Sequence, residues 1–305
     1  MENKAKVGPF DSGCELLSQP LVSVIVPAYN HEKYITSCLD SIALVDYPHL
    51  ELLIIDDGSK DETFIIANDW IQKNRTRFFN VSILKQENIG ICKTLNKLVM
   101  LAEGEYILPI ASDDMLLKNA ITSPLHFAMT NQKEFVVTDA ELMDMEGRII
   151  SVSALSFFGK NRKRLLIEWL FEFDVILAWR PPYQHYLAKR KLLIELGMFN
   201  ENLCYEDLDM VLKALACHKV GICLESTWKY RINLDNRLTN GLSIKSLNES
   251  TSQLYKENYP KFSGFKKILL LILILSTDDN SSKLKRTMAY FLCRILKKTH
   301  TWIMS

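Results

Sequence analysis

Along the first third of the chain, short apolar runs alternate with stretches whose apolar residues recur at helical spacing. "LVSVIVPAYN" opens with an almost unbroken apolar run, Val22 to Val26, closed by Pro27, the pattern of a strand buried on both faces. Ile35, Cys38, Leu39 and Ile42 then fall three and four residues apart and predict a helix of about three turns. "HLELLIIDDGS" predicts a second strand ended by a glycine turn, and "DETFIIANDWIQKN" a helix that Ser59 or Asp61 would cap. "VSILKQ" predicts a third strand, "IGICKTLNKLVMLAEG" a helix stopped by Gly104, and "EYILPI" a fourth strand.

Strands alternating with helices at this spacing imply βαβ units, hence a mostly parallel sheet with right-handed crossovers. Ligands of such sheets bind beyond the carboxyl ends of the strands. Pro27-Ala28-Tyr29-Asn30, Asp56-Asp57-Gly58-Ser59 and Ser112-Asp113-Asp114 all stand at those ends, so one rim gathers them. Past Asp114 the alternation fades. "EFVVTDAELMDMEGRIISVS" reads as two strands around a Glu146-Gly147 turn, "NRKRLLIEWLFEFDVILAW" as a helix, and "RPPYQHYLAKRKLLIELGMFN" as a strand with a short helix. No composition shift marks a boundary before about residue 240.

Composition narrows the class. Nearly half of the 305 residues are hydrophobic, enough for a sizeable core. Seven scattered cysteines without a CxxC pair argue against a disulfide framework or a zinc site and fit a reducing cytosol. The opening "MENKAKVGPFDSGCELLSQP" lacks the apolar run of a secretory signal, so a cytoplasmic protein is expected. Charge is uneven: residues 256–305 carry ten Lys/Arg and three Asp/Glu, the rest 27 and 33. An acidic body with a basic tail suggests an anionic contact, and with no nucleic-acid motif the inner face of a membrane is the leading one. "ILLLILIL", Ile268 to Leu275, is far short of the roughly 20 apolar residues that span a bilayer. Beyond it, Leu284, Met288, Phe291, Leu292, Ile295, Leu296, Trp302 and Ile303 form a helical stripe among Lys285, Arg286, Arg294, Lys297 and Lys298. Such a helix either lies peripherally in a membrane interface or packs on its own domain or a second subunit.

The acids set the chemistry. A carboxylate pair at a strand end, with no Cys or His cluster beside it, suits a hard cation such as Mg²⁺ or Mn²⁺, whose other ligands are water and substrate phosphates. A cation there would stabilise a departing diphosphate. Neither GxxxxGK[ST] nor a GxGxxG after the first strand is present, which removes a P-loop nucleotidase and a dinucleotide fold.

"VSVIVPAYN", "LLIIDDGSKDET", "NIGICKTLNKLVMLAEGEYILPIASDD" and "YQHYLAKRKLLIELGMFNENLCYEDLDMVLKALA", in this order, resemble the inverting nucleotide-sugar glycosyltransferases of the family 2 type, which build bacterial surface polysaccharides. The resemblance runs from about Pro20 to Thr239. It implies the GT-A fold, an α/β Rossmann-like mostly parallel sheet flanked by helices, with a nucleotide-binding half (20–117) and an acceptor-side half (118–240). An N-terminal tail (1–19) and a helical, basic C-terminal extension (241–305) would flank it.

It also implies roles. Pro27, Tyr29 and Asn30 would border base and ribose, and Asp57, with Asp56 behind it, would meet the base. Asp114 would ligate the metal, with Asp113 at the metal, ribose or sugar. Asp207 would be the catalytic base and Glu206 would orient the acceptor or its loop. Lys93 near Gly90, and Arg231, could touch phosphate. The donor would be a nucleotide diphosphate sugar, UDP-linked, and the acceptor a hydroxyl of a glycan or lipid-linked glycan. Two positions depart from the pattern: Lys213 stands for an arginine, and Asn233 in "YRINLDN" for a histidine that is a better ligand.

Plainer readings stand beside these. Adjacent acids also make solvated turns, Glu206-Asp207 also favours a helix N-terminus, and Lys93 is equally an exposed helix lysine. His31 and His185 receive no role. Asn233 keeps open a scaffold that has the fold without turnover. A sugar nucleotidyltransferase would want a Gly-rich basic loop after the first strand, which "PAYNHEKY" lacks.

Overall fold

The computed structural model describes residues 19–177, 184–203, 206–232, 244–277 and 283–304. Strands β1 (Val22–Ala28), β2 (Leu50–Asp56), β3 (Asn80–Lys85) and β4 (Tyr106–Pro109) run parallel in the order β3-β2-β1-β4. Helices α1 (Ile35–Ala43), α2 (Thr63–Asn74) and α3 (Ile91–Leu101) connect them. Strand pleating divides the apolar runs between two cores. Val22, Val24 and Val26 of β1 and Leu52 and Ile54 of β2 meet α1 and α2, whereas Ile25, Leu53 and Ile55 meet α3. Burying each such side chain contributes roughly 1.5–3 kcal/mol, so both faces of the runs hold the sheet in register.

Two local expectations are refined. Asp61, not Ser59, serves the start of α2: its Oδ1 accepts from Thr63 N at 3.0 Å, while Ser59 Oγ accepts from Asn30 N at 2.9 Å. Helix α3 ends at Leu101, short of Gly104. Gly104 is needed for close approach instead, since a Cβ there would lie 2.5 Å from Ser23 Oγ and 2.7 Å from Ser23 N.

The second half adds β5 (Met115–Leu116), α4 (Thr122–Asn131), β6 (Phe135–Met143), β7 (Ile149–Ser151), α5 (Ala154–Phe157), α6 (Arg162–Leu165), α7 (Glu168–Leu177), β8 (Tyr186–Lys189), α8 (Arg190–Glu195), α9 (Glu206–Ala216) and β9 (Val220–Arg231). Strand β8 inserts antiparallel between β4 and β6, β9 runs parallel to β6, and β5 closes the edge antiparallel to β9. Six of the nine described strands thus share one direction. The long helix expected from "NRKRLLIEWLFEFDVILAW" breaks into α6 and α7. Buried Leu165 and Leu170 are five residues apart, a spacing that one straight helix would splay by about 140°. The break lets both face the core.

Helices α10 (Ile244–Asn258), α11 (Gly264–Thr277) and α12 (Lys283–Met304) finish the fold. Leu269, Leu270, Leu273 and Ile274 of α11 are buried in the same core as α7 and α9. Ala289 and Cys293 of α12 are buried, while Met288, Phe291, Leu292 and Ile295 are exposed. The side chains of Leu284, Trp302 and Ile303 and the whole of Asn233 lie outside the described residues. Among those described, no helix is long and apolar enough to cross a membrane.

Candidate active site

The carboxyl ends of the strands open into two adjoining clefts that share Pro27 and Ile91. The smaller, about 150 Å³, is lined by Pro27, Tyr29, Asp57 and Gly90. The larger, about 290 Å³, is lined by Asp113, Asp114, Glu206, Asp207 and Arg231. Of the residues singled out from the sequence, Asn30, Asp56 and Lys93 line neither. Lys93 is exposed on the first turn of α3. Asn30 ties two loops together, its Oδ1 accepting from Lys60 N at 2.8 Å, from a left-handed backbone at φ 54°. Asp56 is fully buried, and its Oδ1 holds the turn by accepting from Ser59 N at 3.1 Å.

Asp57 is a satisfied carboxylate. Its Oδ1 accepts from Gln86 Nε2 at 2.8 Å and Ile89 N at 3.0 Å, and its Oδ2 from Gly90 N at 3.0 Å. Burial alone would raise its pKa, but bonds from Ile89, Gln86, Thr94 and Gly90 outweigh that and lower it. It therefore fixes the loop before α3. Gly58 beside it must be glycine, because a Cβ there would lie 2.7 Å from Asn88 N.

Asp114 is only 3% exposed, and its Oδ1 accepts from Arg231 N at 2.8 Å. Burial, then the neighbouring Asp113 charge, push its pKa well above the ordinary carboxylate value. Arg231 does more than the sequence reading gave it. Its Nε donates to Asp113 O at 2.8 Å and its Nη1 to Asp144 O and Met145 O, both at 3.0 Å, while the guanidinium caps the Tyr34 ring. The side chain clamps the Asp113-Asp114 turn to the β6–β7 turn; Nη2 is the donor left over for a phosphate oxygen. His31 Nδ1, overlooked in the sequence, shares a hydrogen bond with Ser112 Oγ at 2.7 Å and lies 3.9 Å from Asp113 Oδ1.

Across the cleft, α9 begins with Glu206 and Asp207. Both are half-buried along the larger cleft, and the loss of bulk water dominates. Burial lifts Asp207 to about 6, against a bond from Leu208 N, and burial together with the Asp207 charge lifts Glu206 to about 7. The helix is held from behind: Asp209 pairs with Lys213 at 2.7 Å and accepts from Asn258 Nδ2 at 2.7 Å. Lys213 also donates to Met198 O at 2.8 Å, so the lysine that replaces an arginine of the pattern anchors α9.

A model described as Glycosyl transferase family 2 matches residues 23–186, more than half of the chain. The chain belongs to that family. An uncharacterized glycosyltransferase of Rickettsia typhi, RT0329, is 29% identical over 260 residues, 82% of this chain and 73% of that protein. Among solved structures, S. aureus TarS 1-349 in complex with UDP-GlcNAc superposes with a TM-score of 0.64 at 22% identity, covering 93% of this chain and 78% of that one. Mannosyltransferase PcManGT from Pyrobaculum calidifontis, in complex with GDP-Man and Mn²⁺, gives 0.59 at 16% identity over 97% and 86%. These likenesses establish the fold, which is GT-A.

The donors in this family 2 chain fit a cation that takes few protein ligands. Among the described residues no group of three His, Cys, Asp or Glu side chains could hold a metal. Mg²⁺ and Mn²⁺ need no such cage when a substrate supplies phosphate oxygens. Asp114, buried and short of positive charge despite Arg231, is the natural anchor, with the more open Asp113 beside it.

Proposed function

We propose that this chain is an inverting glycosyltransferase that moves a sugar from a nucleotide diphosphate donor, UDP-linked, to a hydroxyl of a growing glycan. One observation carries the reading: Asp114 and Asp207, 93 residues apart in sequence, line the same cleft. Inversion requires the acceptor hydroxyl to attack from the side opposite the leaving diphosphate, so the base must come from another part of the chain than the phosphate anchor. Asp207 is so placed, and its raised pKa makes it a stronger proton acceptor than an exposed aspartate while leaving it ionised near neutrality. Glu206 shares its enclosure and orients the acceptor side. Pro27, Tyr29 and Asp57 take the base and ribose in the adjoining cleft, and Arg231 Nη2 reaches the diphosphate. A divalent cation at Asp114 and Asp113, when bound, would offset charge gathering on the leaving group. The nucleotide sugars in the TarS and PcManGT complexes support this choice of donor.

The test is UDP release from a panel of UDP-sugars with Mn²⁺, in the parent and in Asp207→Asn. Loss of a general base lowers turnover by about 10²–10⁴-fold, with UDP affinity retained. A tenfold or smaller loss would remove Asp207 from the mechanism. UDP binding without release from any donor would favour a scaffold that has kept the fold.

A peripheral membrane contact through α12 belongs to the same proposal. Met288, Phe291, Leu292 and Ile295 recur on one exposed face, with exposed Arg294 and Lys298 beside them. That combination suits an anionic interface. Truncation is a poor test, because α11 belongs to the core. Phe291→Glu with Leu292→Glu should instead abolish sedimentation with phosphatidylglycerol vesicles, and unchanged sedimentation would defeat the contact.

A further inference from the structure

Helix α3 serves both clefts. Asp57 of the smaller cleft grips Gly90 N just before it, and its Ile91 and Leu95 line the larger one. Asn96, in the middle of the same helix, lines neither. Asparagine is a poor residue for a helix interior, because its amide competes for backbone groups, so its place there calls for a partner outside the helix. That partner is the loop between α8 and α9. Asn96 Nδ2 donates to Phe199 O and Asn96 Oδ1 accepts from Phe199 N, both at 2.9 Å. Nδ2 also reaches Glu201 Oε1 at 3.2 Å. One planar amide thus holds both backbone groups of one residue, which needs a donor and an acceptor side by side.

The loop so held leads to the acids. Gly197 and Met198 turn it through positive φ, 81° and 55°, and Phe199 then lies 3% exposed in the wall of the larger cleft. Glu206 and Asp207 open α9 shortly after. Cys92, one turn before Asn96 on the same face of α3, brings its thiol to 3.8 Å from Leu203 O. Two side chains of α3 therefore hold the two ends of the segment 199–203, and Asn200 within it is tied to Glu257 of α10. Gly90 and Asn96 stand roughly 9 Å apart along the helix axis, at 1.5 Å per residue. A rigid beam less than two turns long thus joins the acid that grips the donor-side loop to the amide that grips the base-side loop.

We propose that Asn96 is a positioning residue for transfer: by fixing Phe199 to α3 it sets where the Glu206-Asp207 end of α9 stands relative to the nucleotide cleft. This role presupposes the transferase reading above. Asn96 acts only through the loop, and a shift of about 1 Å between a base and the atom it serves costs about a hundredfold in rate. The nucleotide contacts at Tyr29 and Asp57 are untouched by that shift, so rate and donor affinity should separate.

UDP release with Mn²⁺, from whichever UDP-sugar the parent chain turns over, tests this in two variants. Asn96→Ala deletes all three bonds, and Asn96→Asp keeps the shape and the bond from Phe199 N while losing the two donated ones. Titration calorimetry with UDP counts the folded sites in each preparation, so a smaller folded fraction does not register as lost turnover. Per UDP-binding site, kcat should fall at least about fivefold in both variants and up to about a hundredfold in Asn96→Ala. UDP affinity and KM for the sugar nucleotide should stay within about twofold of the parent. A fall of less than fivefold in either folded variant would make the amide a structural tie alone and overturn the proposal. UDP affinity lost in step with the rate would overturn it too. If Asn96→Ala does not fold, Asn96→Asp decides, and failure of both to fold would assign Asn96 to folding rather than positioning. A parent chain that releases UDP from no donor would instead overturn the transferase reading, and this role with it.

Discussion

Asp57 and Asp207 are each the second member of an acidic pair, and each lines a cleft on the rim of one sheet, but their surroundings drive them in opposite directions. Asp57 stands where β2 ends and the loop before α3 folds over it, so three N–H groups converge on its carboxylate and lower its pKa. Asp207 opens α9 with one short bond, from Leu208 N at 2.7 Å, and an acid beside it, and its pKa rises. Burial acts on both; the number of donors decides the outcome. The first arrangement keeps a charge fixed and rigidifies a loop. The second leaves an acid whose surroundings favour taking up a proton, as the base proposed for this cleft would require.

The largest expected effect is on the rate. Glu206 and Asp207 titrate as a pair, lifted to about 7 and about 6. The base works ionised, so kcat/KM should climb with pH through that window and level off above it, by about tenfold between pH 5 and 7.5 with Asp207, at about 6, as the controlling group. UDP binding measured at the same pH values separates this from any titration at Asp114. A rate that is flat from pH 5 to 7.5 would erase the contrast between the two acids.

How much of this contrast could be read in the chain depends on where each signal resides. Strands β1, β2 and β4 were legible because both of their faces are buried, so the apolar runs of Val22–Val26 and Leu50–Ile55 need no knowledge of partners, whereas β3, where only Val81 is buried, rested on its spacing between two helices. Strand β9 was not legible. Its register against β6 shifts around Asp139, and that irregularity breaks the alternation of "VGICLESTWKYR" that would have announced it. With β9 went Trp228, which lines the larger cleft. The acids at the rim were legible as positions, since strand ends are where ligands bind. Their divergent states were not, because the Gln86, Ile89 and Gly90 donors reach Asp57 from 29 to 33 residues away. Arg231 shows the same limit: a phosphate contact was read, and the clamp on Asp113, Asp144 and Met145 was invisible until the turns met. His185 lies inside the matched stretch "YQHYLAKRK", but nothing in that stretch marks its ring as buried against Trp228, 43 residues further on.

The smallest effect is the sharpest, because one substitution should change sign between the two sites. In Asp57→Asn the amide oxygen can still receive Gln86 and Ile89, but the amide nitrogen then faces the Gly90 N–H, donor against donor. Leaving a buried donor unpaired costs about 1–3 kcal/mol, so Tm should fall by about 4 °C in a chain of this size. The linkage agrees: a lowered pKa contributes stability above the unfolded value near 4 that disappears as acid protonates the group. For Asp207 the sign reverses. Its raised pKa means the folded state keeps a proton that the unfolded chain releases, so stability declines as pH rises from about 4 through about 6. Asp207→Asn removes that ionisation; a shift of about two units corresponds to at most about 3 kcal/mol, so Tm at pH 7.5 should rise by up to about 5 °C, with little gain at pH 4. Thermal unfolding of the two variants at both pH values checks this directly. If Asp207→Asn destabilises the chain at neutral pH as Asp57→Asn does, then Asp207 is another anchored carboxylate and the division of labour between the two acids is wrong.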